Sequence, residues 1–421
     1  MRTGLLNARD GLLPVDNQRA LDWLNFFLAA MLTGFGPFLA GSLTNRGWTP
    51  ANIGFVLTAS GFAGLLVQAP AGDLIDRVRS KRELVAIGIA ALMLAALMFG
   101  LRSDFPSVFA AAVTQGVAGS VLGPGIAAIS LGLVGHAALA ERLGRNERFA
   151  SIGSLTAAAL MGAVGYLLST RGIFLLTAAL GVPVLLALAS LRPGDIHFGR
   201  SCGAPDQDSV PLARSSRMAL FKDRSLVTFA VCLFLYQLAN ASILPLIGEA
   251  LAHGEGRLSS LVISALVVAP QLIVALLAPW VGRTANSWGR RPLLLAGLGV
   301  VPIRSGLFAF TSDPTLLVFI QMLDGWTAAT MGVLTTLVIA DLTKGTGRFN
   351  LAQGLVGTLS GVGAALSTSV SGFVVERFGQ TTGFLFVTAI ALMAVAILWA
   401  FMPETNVSAP RGSGAALVRS A

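Results

Sequence analysis

Gly72-Asp73-Leu74-Ile75-Asp76-Arg77-Val78-Arg79-Ser80-Lys81-Arg82 lies between two long apolar runs. A related stretch, Gly282-Arg283-Thr284-Ala285-Asn286-Ser287-Trp288-Gly289-Arg290-Arg291, lies between two others. Gly72 aligns with Gly282, Asp76 with Asn286 and Lys81 with Arg291, each pair 210 positions apart in a chain of 421. Two copies of a basic, glycine-anchored loop at half the chain length indicate a duplicated membrane protein. Two weaker echoes keep the same order. Gly144-Arg145-Asn146-Glu147-Arg148-Phe149 answers to Gly345-Thr346-Gly347-Arg348-Phe349-Asn350, and Gln115-Gly116 answers to Asp324-Gly325.

The composition agrees with a membrane setting. The chain is 54% hydrophobic and 12% charged, with mean hydropathy +0.77. A soluble domain carries about 25% charged residues. Apolar runs cut at charges and turn residues predict twelve spans: 22–43, 51–71, 83–101, 105–134, 149–169, 172–191, 225–249, 259–281, 292–311, 314–340, 350–375 and 382–402. The expected fold is therefore all-α and membrane-embedded, with six-helix halves at 1–191 and 225–402. A polar linker at 192–224 joins them, and a tail occupies 403–421.

The net charge of +9 is a topology signal. Of the 29 Lys and Arg, 23 fall on the side that holds both termini, the linker and the two repeated loops. Only Arg46, Arg102, Arg171, Arg257 and Arg377 fall on the other side, and Arg304 lies inside a span. The positive-inside rule then puts both termini in the cytoplasm, with the chain in the inner (plasma) membrane. The same asymmetry argues against a nucleic-acid partner. Cys202 and Cys232 are too few and too far apart for a disulfide framework or metal site. The N-terminal stretch lacks an apolar signal core. There is no phosphate-binding Gly-x-x-x-x-Gly-Lys-Ser/Thr loop, no His-Glu-x-x-His and no Gly-x-Ser-x-Gly elbow, so neither enzyme chemistry nor a cofactor is expected.

On these residues the chain resembles the major facilitator superfamily over almost its whole length. That family's first loop reads Gly-x-Leu-x-Asp-Arg-x-Gly-Arg-Lys. Gly72, Leu74, Asp76, Arg77 and Lys81 match it, while Arg79 and Ser80 depart. The second loop keeps Gly282, Gly289, Arg290 and Arg291, with Asn286 at the acidic position. The resemblance implies two six-helix bundles, a central cavity and alternating access. It also places Asp76 near the start of span eleven and, by pseudo-symmetry, Asn286 near the start of span five. A carboxylate there can satisfy free N–H groups and the positive end of a helix dipole. The drug-antiporter branch of the family carries an Arg where this chain has Ala112. Of that branch's fifth-span pattern, Gly153 and Gly162 are kept and Ala163, Tyr166 and Leu167 depart.

Buried charge marks a second expectation. Of 20 Asp and Glu, only Asp324 falls well inside a predicted span, and of the basic residues only Arg304 does. Their depths differ by about 6 Å at a helical rise, so the two side chains can meet. They form either a static lock or a coupling device for protons. His136, His197 and His253 all fall outside the predicted spans. Asn25, Thr33, Gln115, Gln237, Asn240 and Gln321 supply polar groups within spans that line the cavity in this family, and Phe27, Tyr236 and Trp326 supply candidate apolar walls. Pro37, Pro124 and Pro245 mark bending points. Two functions remain open at this stage. One is proton-driven export of small organic molecules. The other is uptake or facilitated passage of a small, anionic solute anchored on Arg304. A monomer in the lipid bilayer, with a small-molecule substrate and protons as partners, is expected.

Overall fold

The computed structural model describes residues 15–35, 37–204, 216–252, 257–311 and 313–406. Among these the chain is helical, without strands. α1 (Val15–Thr33) and α2 (Pro37–Asn45) follow one another along the first span. α3 (Pro50–Arg77), α4 (Lys81–Leu101), α5 (Phe105–Leu167) and α6 (Thr170–Ser190) complete the first half. The short helices α7 (Phe198–Ser201) and α8 (Arg217–Lys222) belong to the linker. α9 (Arg224–Asn240) and α10 (Ile243–Ala252) share the seventh span. α11 (Arg257–Trp288), α12 (Arg290–Phe308), α13 (Pro314–Leu342), α14 (Phe349–Phe378) and α15 (Gln380–Phe401) follow. His253 and most of the 403–421 tail lie outside the described residues, as does the middle of the 192–224 linker.

Eleven helical segments among the described residues are long and apolar enough to cross a bilayer. One of them, α5, runs for 63 residues. At 1.5 Å per residue it would measure about 95 Å, roughly three hydrocarbon thicknesses. It is broken at Gly135, whose φ of 68° and ψ of 178° suit glycine alone. α5 therefore supplies spans four and five, and the total is twelve. Helix starts are fixed locally. Thr49, Asp104, Ser169, Asp223 and Asp313 each accept a hydrogen bond from a first-turn N–H, and proline opens α3, α5 and α13.

Span five begins much earlier than the sequence boundary of 149, because helix resumes directly after Gly135. Two of the charges that suggest a loop, Arg142 and Arg145, are paired across the bundle. Arg142 Nη2 donates to Asp22 Oδ1 at 2.6 Å, and Arg142 Nε donates to Asn146 Oδ1 at 2.8 Å. Arg145 also donates to Asp22. Such pairing lets charged residues continue a helix at membrane depth.

Packing repeats six spans on. α1 packs on α5 and α6, α4 on α5 and α6, and α3 on α5. In the second half α9 packs on α14 and α15, α12 on α13 and α15, and α11 on α13. The Gln115-Gly116 and Asp324-Gly325 echoes sit at matching crossings. Gly116 lies against the Ser60 carbonyl of α3, and Gly325 against the Pro270 carbonyl of α11. Spans one and seven also break alike, with α1 ending at Thr33 before Pro37 and α9 ending at Asn240 before Pro245.

The halves meet through α3 with α14 and α5 with α11 and α13. Their closest approaches lie toward the Arg- and Lys-rich end. A Cβ on Gly72 would collide with the Asn350 carbonyl. Gly144 and Gly282 face each other so closely that a Cβ on either would lie 3.2 Å from the other's Cα and collide with a carbonyl of the opposing helix.

The Asp22 cluster gives a stability prediction. Asp22→Ala leaves Arg142, whose side chain is 4% exposed, without its carboxylate and should cost roughly 3–5 kcal/mol. Asp16→Ala removes an exposed pair with Arg192 and should cost less than about 1 kcal/mol. Thermal unfolding of the two purified variants in one detergent should separate them clearly.

Candidate functional site

A cavity of about 550 Å³ lies between the halves. Its polar lining comes from Asn25 on α1, Gln68 on α3, Asn146 and Glu147 on α5, Tyr236 and Gln237 on α9, Thr335 and Thr336 on α13, and Gln353 and Ser360 on α14. The remaining walls are mostly aliphatic. Of the cavity residues expected from sequence, Asn25, Gln237 and Tyr236 line it.

The others are placed elsewhere. Thr33 Oγ1 donates to Ala29 O one turn back in its own helix. Gln115 is off the cavity, and its carbonyl has no hydrogen-bond partner among the described residues. Phe27 stacks on Trp23, which is half exposed, against α6. Trp326 Nε1 donates to Ala296 O on α12, and its ring packs on Trp280. On α1 the cavity face is taken by Asn25, Leu28, Ala29 and Leu32, and on α13 by Gly332, Thr335, Thr336 and Ile339. Asn240 and Gln321 belong to the Arg304 cluster described below.

Glu147 is the residue that the sequence reading missed. The sequence boundary of span five, 149, puts it in a loop. With helix running from Gly135 onward it lies several turns inside the membrane domain and lines the cavity. Its carboxylate packs against α13 in the other half, where a Cβ on Gly332 would sit 2.7 Å from the carboxyl carbon. Among the described residues it has neither an ion-pair nor a hydrogen-bond partner. The Gln353 amide nitrogen, also on the cavity, is likewise without a partner among them. A usable signal was present in the sequence. His136 to Phe149 holds no proline and is rich in Ala and Leu, both strong helix formers.

Asp76 lies just beyond the basic end of the cavity and is fully buried. Its Oδ1 accepts from Asn350 N at 3.2 Å and from Asn350 Nδ2 at 2.8 Å, and its Oδ2 accepts from Leu351 N at 2.9 Å. The carboxylate of one half thus caps the first turn of α14 in the other, and it is the close approach at Gly72 that brings it there. Asp73 adds an ion pair across the same seam to Arg348 at 2.8 Å, and further pairs to Arg217 and Arg77. Lys81 donates to Ile75 O and stands 4.7 Å from the centre of the Phe198 ring.

Part of the linker is built into this seam, which the sequence did not suggest. His197 N donates to Gly132 O in α5 at 3.2 Å. Phe349 N donates to Cys202 O at 3.2 Å, Gly345 N to Gly203 O at 2.6 Å, and Asn350 Nδ2 to Ser201 O at 2.9 Å. The Cys202 thiol donates to Asp76 O at 3.2 Å. Residues 201–204 are buried. Burial pushes the Cys202 thiol above its ordinary pKa.

The second loop is not a mirror image. Asn286 was expected near the start of span five. Its Oδ1 instead accepts from Arg290 Nη1 at 3.1 Å, and its backbone carbonyl accepts from Asn406. Arg290 pairs with Asp341 at 3.0 Å, Glu404 accepts from the N–H groups of Arg290 and Arg291, and Gly289 supplies the left-handed turn at φ 95°. Spans four and five are continuous but for Gly135, so span five offers no freshly started first turn like that of α14. Gly282 does meet that span, but at Gly144.

Arg304 and Asp324 form an ion pair between α12 and α13. Arg304 is 1% exposed and also donates to Asn240 Oδ1, while Asp324, 23% exposed, accepts from Gln321 Nε2 at 3.4 Å. Asn240 Nδ2 donates in turn to the Tyr236 hydroxyl at 3.4 Å, so the cluster reaches the cavity through Tyr236.

The comparisons with known proteins agree with this architecture. The chain matches the family model described as Major Facilitator Superfamily over residues 22–236 and 229–420. It belongs to that superfamily. It is 36% identical to an MFS-type transporter of Mycobacterium tuberculosis strain H37Rv over 395 residues, 93% of this chain and 94% of the relative. It is 32% identical over 135 residues to the multi-drug resistance efflux pump PmrA of Streptococcus pneumoniae, covering 31% of this chain and 32% of that protein. The fold is similar to that of the Escherichia coli fucose:proton symporter FucP, with a TM-score of 0.72 at 14% identity, covering 93% of this chain and 99% of that one.

Two predictions come from this geometry. Asp324→Ala strands the Arg304 guanidinium and should cost about 3–5 kcal/mol, whereas Arg304→Leu combined with Asp324→Leu should regain most of that loss. Unfolding curves for the single and double variants in one detergent test it. In a Cys232→Ala background, Cys202 should react slowly with maleimide at pH 7, because it is buried and held as the thiol. Asp76→Ala should speed the labelling several-fold by releasing the seam, measured by mass spectrometry over time.

Proposed function

We propose that this chain is a secondary carrier that exports small organic molecules in exchange for protons, by alternating access. The observation that carries the reading is the Glu147 carboxylate, unpartnered among the described residues, in the cavity between two halves whose seam is closed at one end. An ionised carboxylate out of bulk water is costly unless it takes up a proton or a counter-charge. A group that exchanges one for the other as the cavity changes sides couples the two fluxes. The basic end, assigned to the cytoplasm by the positive-inside bias, is held shut by the Asp76 cap, the Asp73 pairs and the linker. Breaking these contacts exposes the cavity to the cytoplasm, which makes the first repeated loop a gating loop, while the second meets the other half through the close approach at Gly282.

Arg304 and Asp324, offered from sequence as the coupling pair, take a secondary place in this reading. Their mutual pairing makes a lock between α12 and α13, with Asp324 a second site for a proton. The anionic-solute alternative loses its anchor, since the Arg304 guanidinium is already engaged by Asp324 and Asn240. The similarity to PmrA over part of the chain supports export.

The test is proton release from pyranine-loaded vesicles containing the purified protein, challenged with a panel of small organic solutes. Glu147→Gln should abolish gradient-driven movement by at least about tenfold while leaving passive exchange, because the amide keeps the shape and cannot ionise. Undiminished gradient-driven movement in that variant would sink the coupling role.

A further inference from the structure

We infer that the cavity is selective for organic monocations with an apolar body and excludes anions of the same shape. This rests on reading the cavity as the transport site and adds the charge of what it takes.

Charge bookkeeping around the cavity carries the argument. Glu147 is the one Asp, Glu, Lys or Arg among the described residues that line it. The neighbouring guanidinium groups are already committed. Arg142 and Arg145 share Asp22, with Glu141 as a second negative group beside them and Asn146 accepting from Arg142, and Arg304 is bound to Asp324 and Asn240. None lines the cavity. Gly332 holds the facing wall back so that the carboxylate fits between the halves, and a side chain there would displace it. When it has released its proton, the carboxylate therefore places a negative charge, with no basic side chain among the described lining residues, in a space walled by Leu28, Leu32, Leu122, Leu233, Ile339 and Val356. An organic cation would satisfy that charge and lay its apolar body on those walls. An anion would meet a like charge with no basic side chain in the lining to offset it. The volume, about 550 Å³, suits one drug-sized molecule.

The experiment uses two ions of one shape and opposite charge, tetraphenylphosphonium and tetraphenylborate. Equilibrium binding of each is measured to the full-length protein in lipid nanodiscs, with empty nanodiscs subtracted. The wild type should bind the phosphonium saturably and at least about tenfold more tightly than the borate. Glu147→Gln should bring the ratio close to one, and Glu147→Asp, which restores the charge, should recover the preference. Equal affinity for the two ions, saturable binding of neither, or an undiminished preference in Glu147→Gln overturns the inference. Gradient-driven movement of uncharged solutes without a phosphonium preference overturns it alone and leaves the proton-coupled reading standing. A phosphonium preference that depends on Glu147, together with no gradient-driven movement of any solute, supports this inference and removes the proton-coupled reading instead.

Discussion

Three donors at the start of α14, two backbone N–H groups and the Asn350 amide, converge on the carboxylate of Asp76. The first N–H groups of a helix have no partners within it, and inside a membrane domain they need them. Here the partner is supplied by the other half of the molecule. The join between the bundles is thus made partly of hydrogen bonds that α14 requires in this state and must exchange for others when the seam opens. Gly72 lets the backbones come close enough, and residues 201–204 of the linker fill the space behind them. The cavity, its closed end and the buried linker all depend on that contact.

The duplication is closely kept in packing and loosely kept in chemistry. Each crossing in the first half recurs six spans later, and Gly72 and Gly282 both serve as sites of close approach. The polar groups have diverged. Asp76 reaches across to α14, while its counterpart Asn286 is bound by Arg290 within its own half. The cause is backbone geometry. α13 ends at Leu342 and a turn precedes α14, which leaves a free helix start beside the end of α3. Spans four and five are continuous but for Gly135, so no comparable start faces α11. The closing contact is therefore one-sided, and so is the charge in the cavity.

How much of this was legible in the chain depended on whether a residue's neighbours in sequence were also its neighbours in space. The duplication, the helical class and the run of apolar segments were legible because each follows from local composition and spacing. So was the meeting of Arg304 with Asp324, since two isolated charges at like depth in adjacent helices have few other places to go. Glu147 was not legible as a cavity residue. It sits among Glu141, Arg142, Arg145 and Arg148, a density of charge that reads locally as a solvated loop. Arg142 and Arg145 share the carboxylate of Asp22, more than a hundred residues away, with Glu141 beside them, and that pairing is what lets the helix carry them inward.

Sequence by itself determined the class of molecule, its two-fold construction and the charge asymmetry between its ends, because periodicity, hydropathy and basic clusters are properties of short stretches. Only the tertiary structure decided which face of each helix turns to the cavity, which of the two loops caps its neighbour, and which carboxylate has no partner among the described residues. Those outcomes depend on helix rotation and on distances between residues far apart in the chain. They are set by the fit of glycine crossings and by long-range pairing, which no local pattern encodes.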